Sequence, residues 1–452
     1  MIVSEVSYNQ AIQRLRFDAE HYQPEFLSIE IKLNKVKSIS LNEIAKFSKL
    51  RRNPENEPDK EFLYIDISNI NIFTGDIDVQ LLKGYEAPSR ARKVVKENDL
   101  ILSTVRPNRN AVAIIPKELD NQICSTGFSV IKSQKINPWF LFTFLKTKYA
   151  IKQLIRMTMA SMYPAVSEDD IGLILVPVPE NNFQQKIELL VKESYNKRKE
   201  ADEKYKQAEA LLNKTLGIEN LELKDEKIFE TRFDEVENAL RFDVDYYLPK
   251  FTEILKILRN SKFGLKKMRE LGRETVRRIN PLEKPSEKFT YVEIGDVDVS
   301  TGEIEIKSIL GYEAPPNARR FLKKGDLVIS MVRPTRGAIT IIPDELDNSL
   351  ASTAFYILGI ESPIREFLFV YLRSPLGLTQ LGRPVVGAMY PTLKKDYIEE
   401  IIIPLIPEDT QSQISDLVKQ SFTLRKEAKE LLEKAKKKVE GCIEKDSNYN
   451  RH

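Results

Sequence analysis

Between residues 181 and 216 one stripe of positions advances by four and three residues in strict alternation, through Ile187, Val191, Ser194, Arg198, Ala201, Tyr205, Ala208, Leu212 and Thr215. From Gln411 to about Glu444 the pattern returns in phase, through Ile414, Val418, Ser421, Arg425, Ala428, Leu432, Ala435, Val439 and Cys442. A 3.5-residue period with small residues at several seam positions predicts two long helices packed closely on each other as a coiled coil. At 1.5 Å per residue each is roughly 50 Å long. The alternative is a pair of ordinary amphipathic helices, each docked on its own domain.

Ahead of each helix the period changes. Short β-branched runs at 62–67, 100–105, 111–115, 128–131 and 171–176, broken by Pro, Gly and Asn, predict strands, and one stretch at 139–159 predicts a helix. This region is written twice. Tyr64-Ile65-Asp66-Ile67, Thr74-Gly75-Asp76, Gly84-Tyr85-Glu86-Ala87-Pro88, Val105-Arg106-Pro107, Leu119-Asp120-Asn121, Ser125-Thr126 and Met162-Tyr163-Pro164 all recur 227 residues later, from Tyr291 to Pro391. A register held without insertion over that span means two copies of one domain, so whatever one copy binds is offered two sites. Each copy opens with a lead, Arg16-Phe17-Asp18 to Pro24 and Arg241-Phe242-Asp243 to Pro249, here offset by 225.

The expected fold is therefore α+β: two duplicated mixed α/β domains separated by two long antiparallel helices. The division is 1–180, a connecting helix at 181–217, 218–407, a second helix at 408–446 and a tail at 447–452. Antiparallel helices would place inverted copies at the two ends of a rod. Inverted copies suit a target that is itself twofold, of which duplex DNA is the obvious example.

Composition narrows the chemistry. A chain of 452 residues is too long for one core of typical size, and 42% hydrophobic with 30% charged residues describes a soluble globular protein. No apolar run could span a bilayer, and the start Met1-Ile2-Val3-Ser4-Glu5 lacks the features of a signal peptide, so a cytoplasmic location is expected. Cys124 and Cys442 do not occupy matching repeat positions, and His21 and His452 are the only histidines, which argues against a disulfide framework, a metal site and histidine-based catalysis. A net charge of +3 decides little, because 70 basic residues are nearly balanced by 67 acidic ones.

Enzyme motifs are missing: there is no Walker phosphate loop, no G-x-G-x-x-G and no G-x-S-x-G elbow. Asn137-Pro138-Trp139-Phe140 superficially resembles an amino-methyltransferase signature but lacks its second proline, and it reads better as a helix start. The stronger candidates are the loops Arg106-Pro107-Asn108-Arg109-Asn110 and Arg333-Pro334-Thr335-Arg336-Gly337 between two strands. Proline stiffens each loop, arginine forks match guanine O6/N7, and asparagine pairs with adenine N6/N7. Arg109 and Arg336 are read as DNA contacts. Arg106 and Arg333 are equally well read as partners of a carboxylate such as Asp99 or Asp326.

Further clusters could join that surface. They are Lys49, Arg51 and Arg52 with their counterparts Arg277 and Arg278, and the loops of Tyr85, Arg90 and Arg92 and of Tyr312, Asn317, Arg319 and Arg320. Ser161 and Arg383 stand near the Tyr-Pro loops. Each basic cluster is a phosphate contact or an ordinary solvated surface, and the tyrosines are read first as packing residues.

The lead motif, Lys324-Gly325-Asp326-Leu327-Val328 (varied as Glu97-Asn98-Asp99-Leu100), the Tyr-Pro loops, Val176 to Pro179 and the Arg-Lys-Glu-Ala helix segments at Arg198 and Arg425 together resemble specificity subunits of type I restriction-modification systems. The resemblance covers essentially the whole chain. It implies two target-recognition domains held by an antiparallel helix pair, each reading half of a split DNA site. It also implies partner methyltransferase (modification) subunits docked along the helices and an ATP-driven restriction subunit, with S-adenosylmethionine, ATP and magnesium used by those partners and the chain itself non-catalytic. The rival readings are an enzyme with duplicated catalytic domains and a scaffold without DNA affinity.

Overall fold

The structure, a computed structural model, describes all residues except 1–3, 10, 11, 13–16, 159–163, 224, 225, 227, 386–390 and 450–452, and the backbone alone at 445–449. Two compact units divide it: Met1–Lys199 with Leu424–His452, and Glu200–Thr423. The long helices Asn181–Leu216 and Glu408–Tyr449 each contribute a segment to both units.

In the first unit, strands Gln80–Lys83, Glu61–Ile65, Ile123–Ser125 and Ala91–Val94 form one sheet in that order, with 61–65 parallel to 123–125 and the other pairs antiparallel. A second, antiparallel sheet is ordered Ala45–Phe47, Phe128–Ser133, Leu100–Ser103, Val112–Ile114. Leu100-Ile101-Leu102 reads as a continuous apolar run because both faces of its strand are covered. Leu100 and Leu102, with Val112 and Ile114, enter a core shared with the helices, while Ile101, with Ala111, Ala113 and Ile115, enters the core between the sheets. Successive side chains point to opposite faces of a strand, so one sequence feeds two cores.

The second unit repeats the arrangement: Lys307–Leu310, Lys288–Val292, Leu350–Ser352, Ala318–Phe321 in one sheet, and Ile339–Ile341, Leu327–Ser330, Phe355–Leu358 in the other. Leu327 and Ile329 again face the helical core and Val328 the inter-sheet core.

Two expectations need correcting. The single helix expected over 139–159 is two, Pro138–Leu145 and Lys148–Met157. Thr147 breaks it by turning its hydroxyl back onto the Phe144 carbonyl (2.7 Å), as Ser374 does onto Tyr371 (2.6 Å) between Ile364–Arg373 and Pro375–Gly382. The strand expected over 171–176 is instead a short helix, Glu168–Gly172, followed by the strand Leu175–Pro177. Ser167 and Asp170 cap that helix reciprocally, a local signal stronger than the β-branched run behind it. Asn137 caps 138–145 through Trp139 N and Phe140 N, which confirms the helix-start reading of Asn137-Pro138.

The long-helix stripe is buried from Ile187 to Leu212 and from Ile414 to Val439. In the first unit Ser194 Oγ donates to the Ala428 carbonyl (2.6 Å) and Lys197 pairs with Glu427 (2.6 Å), so the segments run antiparallel. The second unit carries the repeat copy of the first bond, Ser421 Oγ to the Ala201 carbonyl at 2.8 Å. Helix backbones come this close only over small seam residues.

The Gly-Tyr-Glu-Ala-Pro repeat is largely architectural. A Cβ on Gly84 would lie 2.2 Å from the Glu57 carbonyl oxygen, and one on Gly311 would lie 2.2 Å from that of Lys284. Glu86 and Glu313 accept from Lys83 N and Leu310 N. Gly84→Ala and Gly311→Ala are each expected to cost about 1–3 kcal/mol through forced displacement, read as a lower urea midpoint. An unmoved midpoint would mean that the loop yields freely.

Candidate nucleic-acid interface

The two arginine loops have the same shape. Pro107–Arg109 and Pro334–Arg336 are single 3-10 turns, entered through Arg106 (φ 50°) and Arg333 (φ 49°) and left through Asn110 (φ 54°) and Gly337 (φ 76°), all left-handed. Asparagine and glycine adopt that region readily, whereas an arginine there is strained by roughly 1–3 kcal/mol and persists only where its surroundings over-determine it. Here the Arg106 and Arg333 amides donate to the Pro164 and Pro391 carbonyls, both at 2.7 Å. The prolines are buried, while Asn108, Arg109, Thr335 and Arg336 are exposed. A rigid turn thus presents one amide or hydroxyl and one guanidinium to solvent in each copy.

Backbone bonds join this turn to the next loop. Thr126 N donates to Arg90 O, Thr104 N to Gly127 O and Val166 N to Thr104 O, placing the 84–92 loop beside the arginine turn. Copy two uses Thr353 N to Asn317 O, Met331 N to Ala354 O and Leu393 N to Met331 O. Arg51, Arg90 and Arg278 are exposed. Tyr85 and Tyr312 are 63% and 61% exposed, so the packing reading of these tyrosines is corrected. Tyr163 and Tyr390, with Ser161, lie outside the described residues.

Several other expected contacts have internal work instead. Asn110 is 6% exposed and its amide donates to the Leu145 carbonyl (2.8 Å), so it cannot meet a base. Arg277 grips Asp326 (2.6 Å), so the carboxylate considered for Arg333 belongs to Arg277. Arg320 pairs with the largely buried Glu274, and Arg92 with Glu55 at 3.1 Å. Arg383 lies 4.5 Å over the Tyr246 ring, which Arg241 also stacks at 4.5 Å. Asn317 is exposed but donates to Ser352 Oγ (3.0 Å), Arg319 donates to the Ala318 carbonyl (3.4 Å), and Arg52 is half-buried with its amide on Arg92 O. The equivalent bridges Arg51–Lys93 and Arg278–Arg320 align Arg51 with Arg278, which corrects the expected correspondence: the counterpart of Arg277 is Leu50, and in copy one the buried Asp99 has its carboxyl pushed up by that burial.

Sequence reading missed the buried Lys146, and it placed Arg198 in the helix seam without its partner. Lys146 Nζ donates to the Ile72 carbonyl (2.9 Å) and the Asn110 carbonyl (3.3 Å), and Arg198 on the long helix pairs with Asp76 (2.9 Å). The legible signal was a lysine standing directly behind six buried residues, Phe140 to Leu145. Burial, helped by nearby Lys436 and Arg198 and opposed by Asp76, pulls the Lys146 ammonium down to about 7. Unfolded, it would hold its proton to about pH 10.4. Between these values the unfolded chain binds more protons, so Lys146 makes stability rise with pH, by at most about 1.4 kcal/mol per unit, and its cost is fully present below pH 7. Urea midpoints from pH 7 to 10 are expected to rise less steeply in Lys146→Met than in the wild type; parallel profiles would refute this.

Two copies of an α+β domain, each with a stiff arginine-tipped turn and each built around segments of two long helices, define a duplicated protein that presents the same exposed turn twice. No family model matches the chain. It is 26% identical over 131 residues to the HindI type I restriction enzyme specificity subunit of Haemophilus influenzae, a match that spans only 26% of that subunit. It is 23% identical over 355 residues to the MjaVIII specificity subunit of Methanocaldococcus jannaschii, covering 76% of this chain and 78% of that one. By sequence the chain is similar to type I restriction enzyme specificity subunits, the resemblance its repeated motifs carried. Among solved structures, the HsdS subunit from Thermoanaerobacter tengcongensis aligns over 91% of this chain and 97% of its own at 23% identity and a TM-score of 0.35. The type I S subunit from M. genitalium aligns over 89% and 95% at 12% identity and a TM-score of 0.44. Among the described residues, no helix is long and apolar enough to cross a membrane.

Proposed function

We propose that the chain is a non-catalytic DNA-recognition subunit: it binds a bipartite, nearly palindromic double-stranded site in the cytoplasm and directs methyltransferase and restriction subunits to it. The observation that carries this reading is the pair of matched turns exposing Arg109 and Arg336, set on copies of one domain. Similarity to type I specificity subunits supports it. S-adenosylmethionine, ATP and magnesium would then serve the partner subunits. Exposed apolar side chains in and just ahead of the leads offer such partners a surface: Phe17 is 68% exposed, and Phe233, Leu240 and Phe242 are 70–83% exposed.

Because the copies differ at the exposed turn position, Asn108 against Thr335, their half-sites should be similar but not identical. Sequencing methylated sites after co-expression with the cognate methyltransferase subunit is expected to return one interrupted site of two related halves on opposite strands. Methylation independent of this chain would overturn the function, and two unrelated halves would overturn the near-palindrome.

A further inference from the structure

We propose that Lys146 in the first copy and Arg373 in the second are positioning residues for base reading. Each locks the residue that closes the arginine turn to a neighbouring loop and ties that assembly to the long-helix segment of its own unit. This rests on the recognition function above.

Lys146 and Arg373 stand at equivalent positions, at the helix break made by Thr147 and Ser374. Their acceptors are equivalent as well. Lys146 Nζ bonds the carbonyls of Asn110 and Ile72; Arg373 Nη1 bonds Gly337 O (3.2 Å), and its Nη2 bonds Val299 O (2.9 Å) and Ser300 O (2.7 Å). Asn110 and Gly337 are the left-handed residues that end the two arginine turns. In the first unit the 72–76 loop is in turn held by the long helix, through Arg198 to Asp76 and to the Thr74 carbonyl (3.5 Å). In the second unit Arg373 reaches the long helix directly, Nε to Tyr205 Oη at 2.9 Å.

Placing an amine or guanidinium against backbone carbonyls carries a desolvation cost that an apolar side chain of similar length would avoid. What its N–H donors supply is direction: bonds that fix two loop carbonyls at set distances from one side chain. Arg109 and Arg336 each lie one residue from the clamped carbonyl. A guanidinium that reads a base edge needs its supporting backbone held to about half an ångström, and these clamps are the contacts placed to do so. Changing lysine to arginine between the copies alters the number of bonds and leaves the attachment points in place.

The test is selection from a randomised duplex library by the full-length chain, scored separately for each half-site, with thermal melting to report folding. Lys146→Met is expected to reduce base selectivity tenfold or more in one half-site only, Arg373→Met in the other only, and Lys146→Arg to restore most of the loss. Folded variants with unmoved selectivity would overturn the inference, as would equal loss in both halves, which marks general destabilisation. Should the Met variants fail to fold, Lys146→Gln and Arg373→Gln, which stay polar but are too short to bridge the same two loops, must still reduce selectivity in one half-site each, and no shift overturns it. A wild-type chain that selects no sequence overturns the recognition function and this inference together.

Discussion

Inserting seven residues after Ala201 and seven after Ala428 is expected to abolish binding to the native DNA site and to shift selection to a site with a longer spacer. Each insert should copy the seven residues before it, 195–201 and 422–428, with the copied seam arginine replaced by serine, so that the 3.5-residue seam stays in register and Ser and Ala fall at the added close-packed positions. Seven residues lengthen a helix by about 10 Å, equivalent to roughly three base pairs at 3.4 Å each. With 10–10.5 base pairs per turn, those three also rotate one half-site by about 100° around the duplex, which no small relaxation of loops would absorb. The measurement is library selection by a double-insertion variant whose circular dichroism shows the added helix. Retention of the original spacer would mean that the helices do not set half-site separation.

Replacing both Arg109 and Arg336 by alanine should have the second largest effect. Each guanidinium sits exposed on a turn whose proline is buried and whose entry amide is fixed at 2.7 Å to a proline carbonyl, so little rearranges when the side chain goes. If each reads a base, specific affinity falls by about 1–3 kcal/mol per site, or about 2–6 kcal/mol for the pair if the sites are independent. If each holds a phosphate, affinity falls for all sequences alike and the salt slope flattens by about one unit per arginine. Titration at two salt concentrations against specific and random duplexes separates the cases. Unchanged affinity and slope would remove the arginine turns from the interface.

The helix break and the cations behind it show where sequence reading stops. The run from Phe140 to Met157 carries a local reason to break in Thr147, whose hydroxyl satisfies the Phe144 carbonyl, but the acceptors that hold Lys146 at the break lie 36 and 74 residues away. The same holds for the basic loops. Arg277, Arg320 and Arg383 look as available in sequence as Arg109, yet their partners Asp326, Glu274 and Tyr246 lie 46 to 137 residues off along the chain.

What the sequence by itself determined was whatever repeats at short range or in fixed register: the duplication, the α+β character, the extent and seam of the long helices, and the arginine-proline turns. Strand alternation and the 3.5-residue seam are properties of neighbouring residues, and a copied domain carries its own proof in the offset. The tertiary structure alone decided which polar side chains are spent internally and which remain for a ligand. That choice depends on contacts between segments far apart in the chain, which left Arg109, Arg336, Tyr85 and Tyr312 at the surface and turned Asn110 inward to the Leu145 carbonyl.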